Sequence, residues 1–291
     1  MNSRKTVLVA GGDLRYVYTA HALAEKYEVY AAGFPQQMVP FADVRLTGTA
    51  GEGLPMCDIL VLPMPVSDDG VLVSAPFGRQ ALSLKGLLAA VRQDGIVLGG
   101  KFGKSAAIFE EAGIPAADYL AREELSLLNA VPTAEGALQI LLEELPFTIY
   151  GSRILVLGFG RIGSRLAALL RALGAEVSVA SRDIAELARA EMAGCRTISL
   201  AELPSCAEKF QVICNTIPAK VVTAKILHRM TPETLVLDLA SKPGGVELEE
   251  AQKCGRRVVW ALSLPGKTAP VTAGEVIART ILHMLEERGV S

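Results

Sequence analysis

Residues Gly158, Phe159, Gly160, Arg161, Ile162 and Gly163 spell GFGRIG between an apolar run at 153–157 and a helical run at 164–173. This spacing suits a pyrophosphate. Gly158 permits a tight turn, Gly160 lets backbone approach the phosphates without a Cβ clash, and Gly163 lets the helix pack closely on the strand. The helix start then presents unpaired N–H groups to the anion. Alone, GxGxxG is an ordinary glycine turn; the strand before, the helix after and a second strand at 176–180 make it a dinucleotide site.

At the end of that second strand an acidic residue would bond the adenosine ribose and select NAD. Ser181 and Arg182 stand there instead, a hydroxyl and a guanidinium suited to a 2′-phosphate, so the expected cofactor is NADP. The competing assignment gives the ribose to Asp183 after a shift of one or two residues and leaves Arg182 as a solvated loop charge.

Ligands of doubly wound sheets lie beyond the carboxyl ends of the strands, so the loops leaving those strands carry the remaining candidates. Asn215, Thr216, Ile217 and Pro218 are expected under the ribose-nicotinamide half. Lys242, in the 241–245 loop, and Lys267, in the 263–270 loop, are candidates to bind an anionic group or handle a proton, though each is equally readable as a solvated lysine. The amino-terminal half supplies matching loops at 11–15, 63–70 and 99–104. Their Arg15, Ser67, Lys101 and Lys104 suit a small substrate with more than one carboxylate. The histidines are His21, His228 and His283, all in predicted helices away from those loops, so no imidazole base is expected and 2-hydroxy acid chemistry loses weight. No Ser–His or Cys–His nucleophile pair and no metal-ligand spacing stands out.

To position these loops the chain alternates short β-rich runs with helical ones. Strands are predicted at 6–10, 28–32, 58–62 and 95–98, then at 153–157, 176–180, 211–215, 235–239 and 257–261. Between the two series lie helices at 121–130 and 134–145, separated by Val131-Pro132-Thr133, where Pro132 disfavours helical geometry before it and Thr133 can cap the second helix. The expected fold is α/β, with two doubly wound parallel-sheet, Rossmann-like domains flanking a cleft. Residues 1–130 form the substrate domain and 131–271 the NADP domain, and an amphipathic helix at 272–288 packs back on the first.

With 291 residues the chain can bury two cores, and a formal net charge of -2 with scattered basic residues leaves no electrostatic footprint for nucleic acid. The five cysteines show no pairing pattern and read as small apolar residues in a reducing compartment. The first residues lack a signal-peptide pattern, and no apolar stretch reaches the roughly 18–20 residues that span a bilayer, so a cytoplasmic protein without membrane contact is expected.

Several segments are rarer than the glycine fingerprint: AGGDLR at 10–15, LPMPVSDDG at 62–70, NAVPTAEGA at 129–137, CNTIPA at 214–219, LDLASKPGG at 237–245 and LSLPGKTAPVTAG at 262–274. Together they resemble the dipicolinate synthase A-subunit family of endospore-forming bacteria, over nearly the whole chain. The resemblance implies NADP-linked oxidation of a dihydro- or hydroxytetrahydro-dipicolinate to the pyridine dicarboxylate during sporulation, in the mother-cell cytoplasm. It further implies a partner, the flavoprotein-like B subunit, within an oligomeric assembly. Lys242 or Lys267 would then orient a carboxylate or accept a proton while Arg15 and Ser67 hold the far end. Two other readings stay open: a dehydrogenase of another small carboxylate (amino acid, folate or 2-hydroxy acid), or a non-catalytic NADP-binding subunit.

Overall fold

The structure, a computed structural model, describes residues 4–48 and 53–290. In chain order it first forms β1 (Thr6–Ala10), α1 (Leu14–Ala24), β2 (Glu28–Ala32), β3 (Val44–Leu46), β4 (Cys57–Val61), α2 (Leu84–Leu88), β5 (Val91–Gly99), α3 (Ala106–Ala112) and β6 (Ala116–Asp118). These strands pair in parallel in the order β3-β2-β1-β4-β5-β6. Every residue of β1 is buried, as a central parallel strand covered on both faces requires.

After α4 (Glu123–Glu144) comes a second series: β7 (Arg153–Leu157), α5 (Arg161–Ala172), β8 (Glu176–Ser181), α6 (Ile184–Met192), β9 (Arg196–Ser199), β10 (Val212–Asn215), α7 (Ala224–Leu227), β11 (Leu235–Asp238), α8 (Leu248–Lys253) and β12 (Arg257–Trp260). Its sheet order, β12-β11-β10-β7-β8-β9, repeats that of the first. Both sheets therefore reverse direction beside their first strand, and in the second the switch point lies between β7 and β10, where the glycine turn leaves β7. The two doubly wound parallel sheets are those expected from the alternation of runs.

The chain closes with α9 (Leu264–Thr268) and α10 (Pro270–Glu287). It divides into two compact units, with boundaries between Asn129 and Ala130 and between Leu264 and Pro265. Residues 265–271, expected with the second series, thus belong to the first unit, as does α10. The α10 side chains Ile277, Ile281 and Leu285 are fully buried at a four-residue spacing and share a core with Tyr16, Val17, Ala20 and Leu23 of α1. Gly274 is required there, since a Cβ would approach Tyr18 Cβ to 2.7 Å.

A buried polar relay pins the same unit. Tyr119 Oη donates to the Leu62 carbonyl at 2.6 Å, so Tyr16 Oη, 2.8 Å away, donates to Tyr119. Burial pushes the Tyr16 hydroxyl up to about 12 and that of Tyr119 upward as well. Tyr119→Phe leaves Leu62 O and Tyr16 Oη without their buried partner, and an unmade buried hydrogen bond costs about 1–3 kcal/mol. Urea unfolding is expected to show that loss with an unchanged m-value, and an unaltered midpoint would refute the relay's role.

Three local expectations fail for physical reasons. Residues 123–144 form one helix, α4, with Pro132 inside it and Thr133 in its body rather than at a cap. Leu125 is locked in one core and Ala134, Ala137 and Leu141 in another, so packing on both sides of the proline outweighs its cost of roughly 3 kcal/mol. By length and composition α4 is also apolar enough to cross a membrane, but those same side chains fill protein cores. The strands β3, β6 and β9 were not anticipated, being edge pieces of three or four residues with little periodicity. The 263–270 segment, expected as a loop, contains α9.

Candidate functional site

The three glycines of the fingerprint meet different steric constraints. Gly158 has φ +85°, a left-handed conformation that favours glycine, and a Cβ there would press on Ile217 and Thr216 at 2.9 Å. At Gly160 no heavy atom comes closer than 4.0 Å to where a methyl group would sit, so the backbone faces open space. At Gly163 a Cβ would overlap the Gly158 carbonyl oxygen, which fixes how closely α5 abuts the turn. Gly160 caps α5 without a side-chain bond.

Around this turn lies a crevice of about 620 Å³. It is lined by Gly158, Gly160, Arg161, Ile162, Ser181, Arg182, Thr216, Ile217 and Pro218, nine of the twelve predicted cofactor residues. The other three shape it from beneath. Phe159 buries its ring in the core, Gly163 supports the helix, and the Asn215 amide is consumed internally. Asn215 Nδ2 donates to Asp238 Oδ1 at 2.8 Å and to Ile217 O at 3.1 Å, while Asp238 Oδ2 accepts from Gly245 N–H at 2.7 Å. This buried pair holds the 215–218 and 241–245 loops in register.

The adenosine end holds a residue that the sequence did not single out. Glu186, in the first turn of α6, accepts the Ser181 hydroxyl at 2.7 Å and the Phe159 N–H at 3.0 Å through its Oε2. A carboxylate therefore rests on the fingerprint backbone beside the serine expected to receive a phosphate. Asp183, the alternative ribose ligand, caps α6 by accepting from Ala185 N–H at 2.8 Å and Glu186 N–H at 3.4 Å. Arg182 at the rim is exposed and makes no hydrogen bond or ion pair among the described residues.

The substrate candidates fare unevenly within their own units. Lys242 is exposed at the 241–245 turn, where Lys220 Nζ braces the Pro243 and Val246 carbonyls at 3.2 and 2.6 Å. Lys267 is exposed on α9, and Lys104 is exposed on a 3₁₀ turn against which Gly70 packs. Arg15, in contrast, is buried, with Nε and Nη2 on the two Asp13 oxygens at 2.8 and 2.9 Å. Burial alone would lower its basicity; the Asp13 hydrogen bond, together with the electrostatic pull of Tyr16, Asp13 and Tyr119, more than offsets this, and it stays charged. Gly266 lies against the pair, for a Cβ there would come within 2.6 Å of Asp13 Oδ2, so the 10–15 and 265–270 segments meet at Arg15. Ser67 is spent on its own loop, donating to Asp69 Oδ1 at 2.9 Å and accepting from Gly70 N–H at 2.8 Å. The isolated cations read from spacing thus reduce to the lysines, because Arg15 is half-neutralised and Ser67 is occupied.

All five cysteines are free, and burial pushes the thiols of Cys57 and Cys214 up to about 12, which makes both poor nucleophiles. Although chain spacing showed no metal pattern, folding brings His228, Glu250 and Cys254 together.

A glycine-turn crevice at the switch point of a doubly wound sheet defines an oxidoreductase of the nicotinamide-nucleotide class. In keeping with this, residues 135–241 match the D-isomer specific 2-hydroxyacid dehydrogenase NAD binding domain, and residues 6–120 match the N-terminal domain of the dipicolinate synthase A-subunit. The chain belongs to the dipicolinate synthase A-subunit family. It is 32% identical over 287 residues to the dipicolinate synthase A-subunit of Bacillus subtilis (strain 168), covering 97% of this chain and 96% of that one. The crystal structure of the Bacillus halodurans A-subunit superposes with a TM-score of 0.89 at 30% identity, covering 98% of this chain and 99% of that one. A shikimate dehydrogenase (NADP(+)) of Geobacter sulfurreducens is 32% identical over 160 residues, 50% of this chain and 56% of that one. Transhydrogenase from Sinorhizobium meliloti, at 18% identity and a TM-score of 0.75 over 98% of this chain and 95% of that one, shares the fold.

Proposed function

We propose that this chain oxidises a dihydro- or hydroxytetrahydro-dipicolinate to dipicolinate with NADP as the hydride acceptor, in the cytoplasm of a sporulating mother cell and beside a flavoprotein-like B subunit. The observation that carries the NADP assignment is the unengaged Arg182 guanidinium next to Ser181 at the end of β8, with Asp183 committed to capping α6. A relative over half the chain bears NADP(+) in its name, which agrees. The open backbone at Gly160, beside the amino terminus of α5, fits a pyrophosphate.

Bound there, the nicotinamide supplies the acceptor for the hydride that leaves the substrate ring. The chain's own groups do the rest: Lys242 and Lys267 bind a carboxylate or receive the ring proton, Lys104 adds charge for the second carboxylate, and Arg15 and Ser67 shape loops for the far end. Loss of one hydride and one proton converts a dihydro ring into the aromatic pyridine, and a hydroxytetrahydro precursor must also lose water. Aromatisation supplies the driving force, so no histidine base is required.

Purified chain mixed with NADP and dihydrodipicolinate, with and without the B subunit, is expected to give NADPH absorbance in step with pyridine formation. If neither mixture reduces NADP while another small carboxylate does, the substrate assignment falls. Lys242→Ala and Lys267→Ala are expected to lower kcat/KM with NADP affinity held, and unchanged kinetics in both would remove them from the mechanism.

A further inference from the structure

His228 directly follows α7, while Glu250 and Cys254 lie four residues apart on α8 and its carboxyl-terminal cap. Each helix leads into the next strand, β11 or β12, so the trio sits at the amino-terminal edge of the second sheet, away from the glycine turn. The donor atoms form a compact triangle: His228 Nε2 to Glu250 Oε1 is 3.1 Å, Cys254 Sγ to the same Oε1 is 3.6 Å, and Sγ to Nε2 is 3.7 Å. Zinc bonds of roughly 2.3 Å to sulfur and roughly 2.0–2.1 Å to nitrogen and oxygen, at tetrahedral angles, place donor atoms about 3.3–3.6 Å apart. The triangle therefore matches one face of a tetrahedral zinc site to within about 0.2 Å. Imidazole, thiolate and carboxylate are also the donor types zinc takes.

We propose that His228, Glu250 and Cys254 bind one zinc-class divalent cation, with water as the fourth ligand, tying α7 to α8. The Cys254 S–H bond breaks as the S–metal bond forms, and its proton passes to solvent. Glu250 offers Oε1 to the metal, and its other oxygen stays with Lys253 Nζ at 3.4 Å. Lys253 and Arg256, the nearby cations, are the groups whose repulsion the thiolate and carboxylate must offset. Because the trio lies at the far edge of the sheet, the ion is structural and takes no part in hydride transfer.

The test uses the full chain, free of any tag and stripped of metal, titrated with Co(II) and then Zn(II). One equivalent of Co(II) is expected to give thiolate-to-cobalt charge-transfer absorption that Zn(II) abolishes, and Zn(II) is expected to raise Tm. Cys254→Ser should remove the absorption. His228→Ala should weaken binding by at least roughly 100-fold, since even outer-shell changes cost 10–100-fold. Cys206→Ser, at the other partly buried thiol, should leave the titration unchanged. Absence of the band in the wild-type chain, its survival in Cys254→Ser, its loss in Cys206→Ser, or equal Tm with and without Zn(II) would each overturn the site.

Discussion

Arg182→Ala is expected to raise the NADP dissociation constant by roughly 10- to 30-fold and leave that for NAD within about twofold, as measured by calorimetry at fixed salt. A hydrogen bond to a charged group contributes about 1.5–3 kcal/mol, and the exposed rim position of Arg182 puts it at the lower end of that range. The proposed selectivity would arise because only the 2′-phosphate carries the charge that the guanidinium meets. Glu186 acts in the opposite sense. Its carboxylate holds Ser181 Oγ and the Phe159 N–H, the donors a phosphate in this corner would use, so an incoming phosphate must displace an anion of the same sign. Glu186→Gln keeps an acceptor for both donors and removes the charge. It should tighten NADP about fivefold, equivalent to about 1 kcal/mol, while NAD weakens or holds. If the NADP-to-NAD ratio is the same in the wild-type chain and both variants, the phosphate is not read at this corner.

Gly160→Val is expected to leave Tm within about 2 °C of the wild-type chain yet weaken both nucleotides by more than roughly 100-fold, because a branched side chain would fill the space the pyrophosphate needs. The position tolerates the change in the free protein: the nearest atom to its Cβ is Glu186 Oε1 at 4.0 Å, the end of a flexible side chain, and φ of -77° with ψ of -158° is extended backbone. Gly163→Ala should behave differently. Its methyl overlaps the Gly158 carbonyl, so α5 must retreat from the turn at a cost of about 1–3 kcal/mol, a Tm fall of roughly 3–10 °C. Measured together, the two variants separate a glycine kept for ligand approach from one kept for packing. Equal Tm losses would contradict that division.

The fingerprint could be read from six consecutive letters because each glycine answers a constraint set within one turn of chain. The strands flanking it were legible for the same reason, since both faces of β7 and β10 are buried and their apolar runs are unbroken. Glu186 was not legible. Its role depends on α6 starting just after β8, which turns the side chain back toward Phe159, 27 positions earlier. The partner of Asn215 was not legible either, because only the paired strands β10 and β11 bring Asp238 beside it. Ser67 and Arg15 misled similarly: spacing reports a hydroxyl or a guanidinium but not the carboxylate two residues away that engages it. The His228–Glu250–Cys254 triangle required two successive crossovers to be adjacent, a fact of topology.

The α1–α10 pairing also governs the order in which the newly made chain can mature. As synthesis proceeds, residues 130–264 emerge as one uninterrupted stretch and can close their sheet while α10 is still inside the ribosome. The earlier-made unit waits. Until α10 leaves the exit tunnel, Tyr16, Ala20 and Leu23 lack the helix that covers them, so the first half translated is the last to be finished. A stop codon near residue 265 would thus release a protein whose amino-terminal unit has an open apolar seam beside a completed nucleotide-binding unit, a species suited to capture by chaperones.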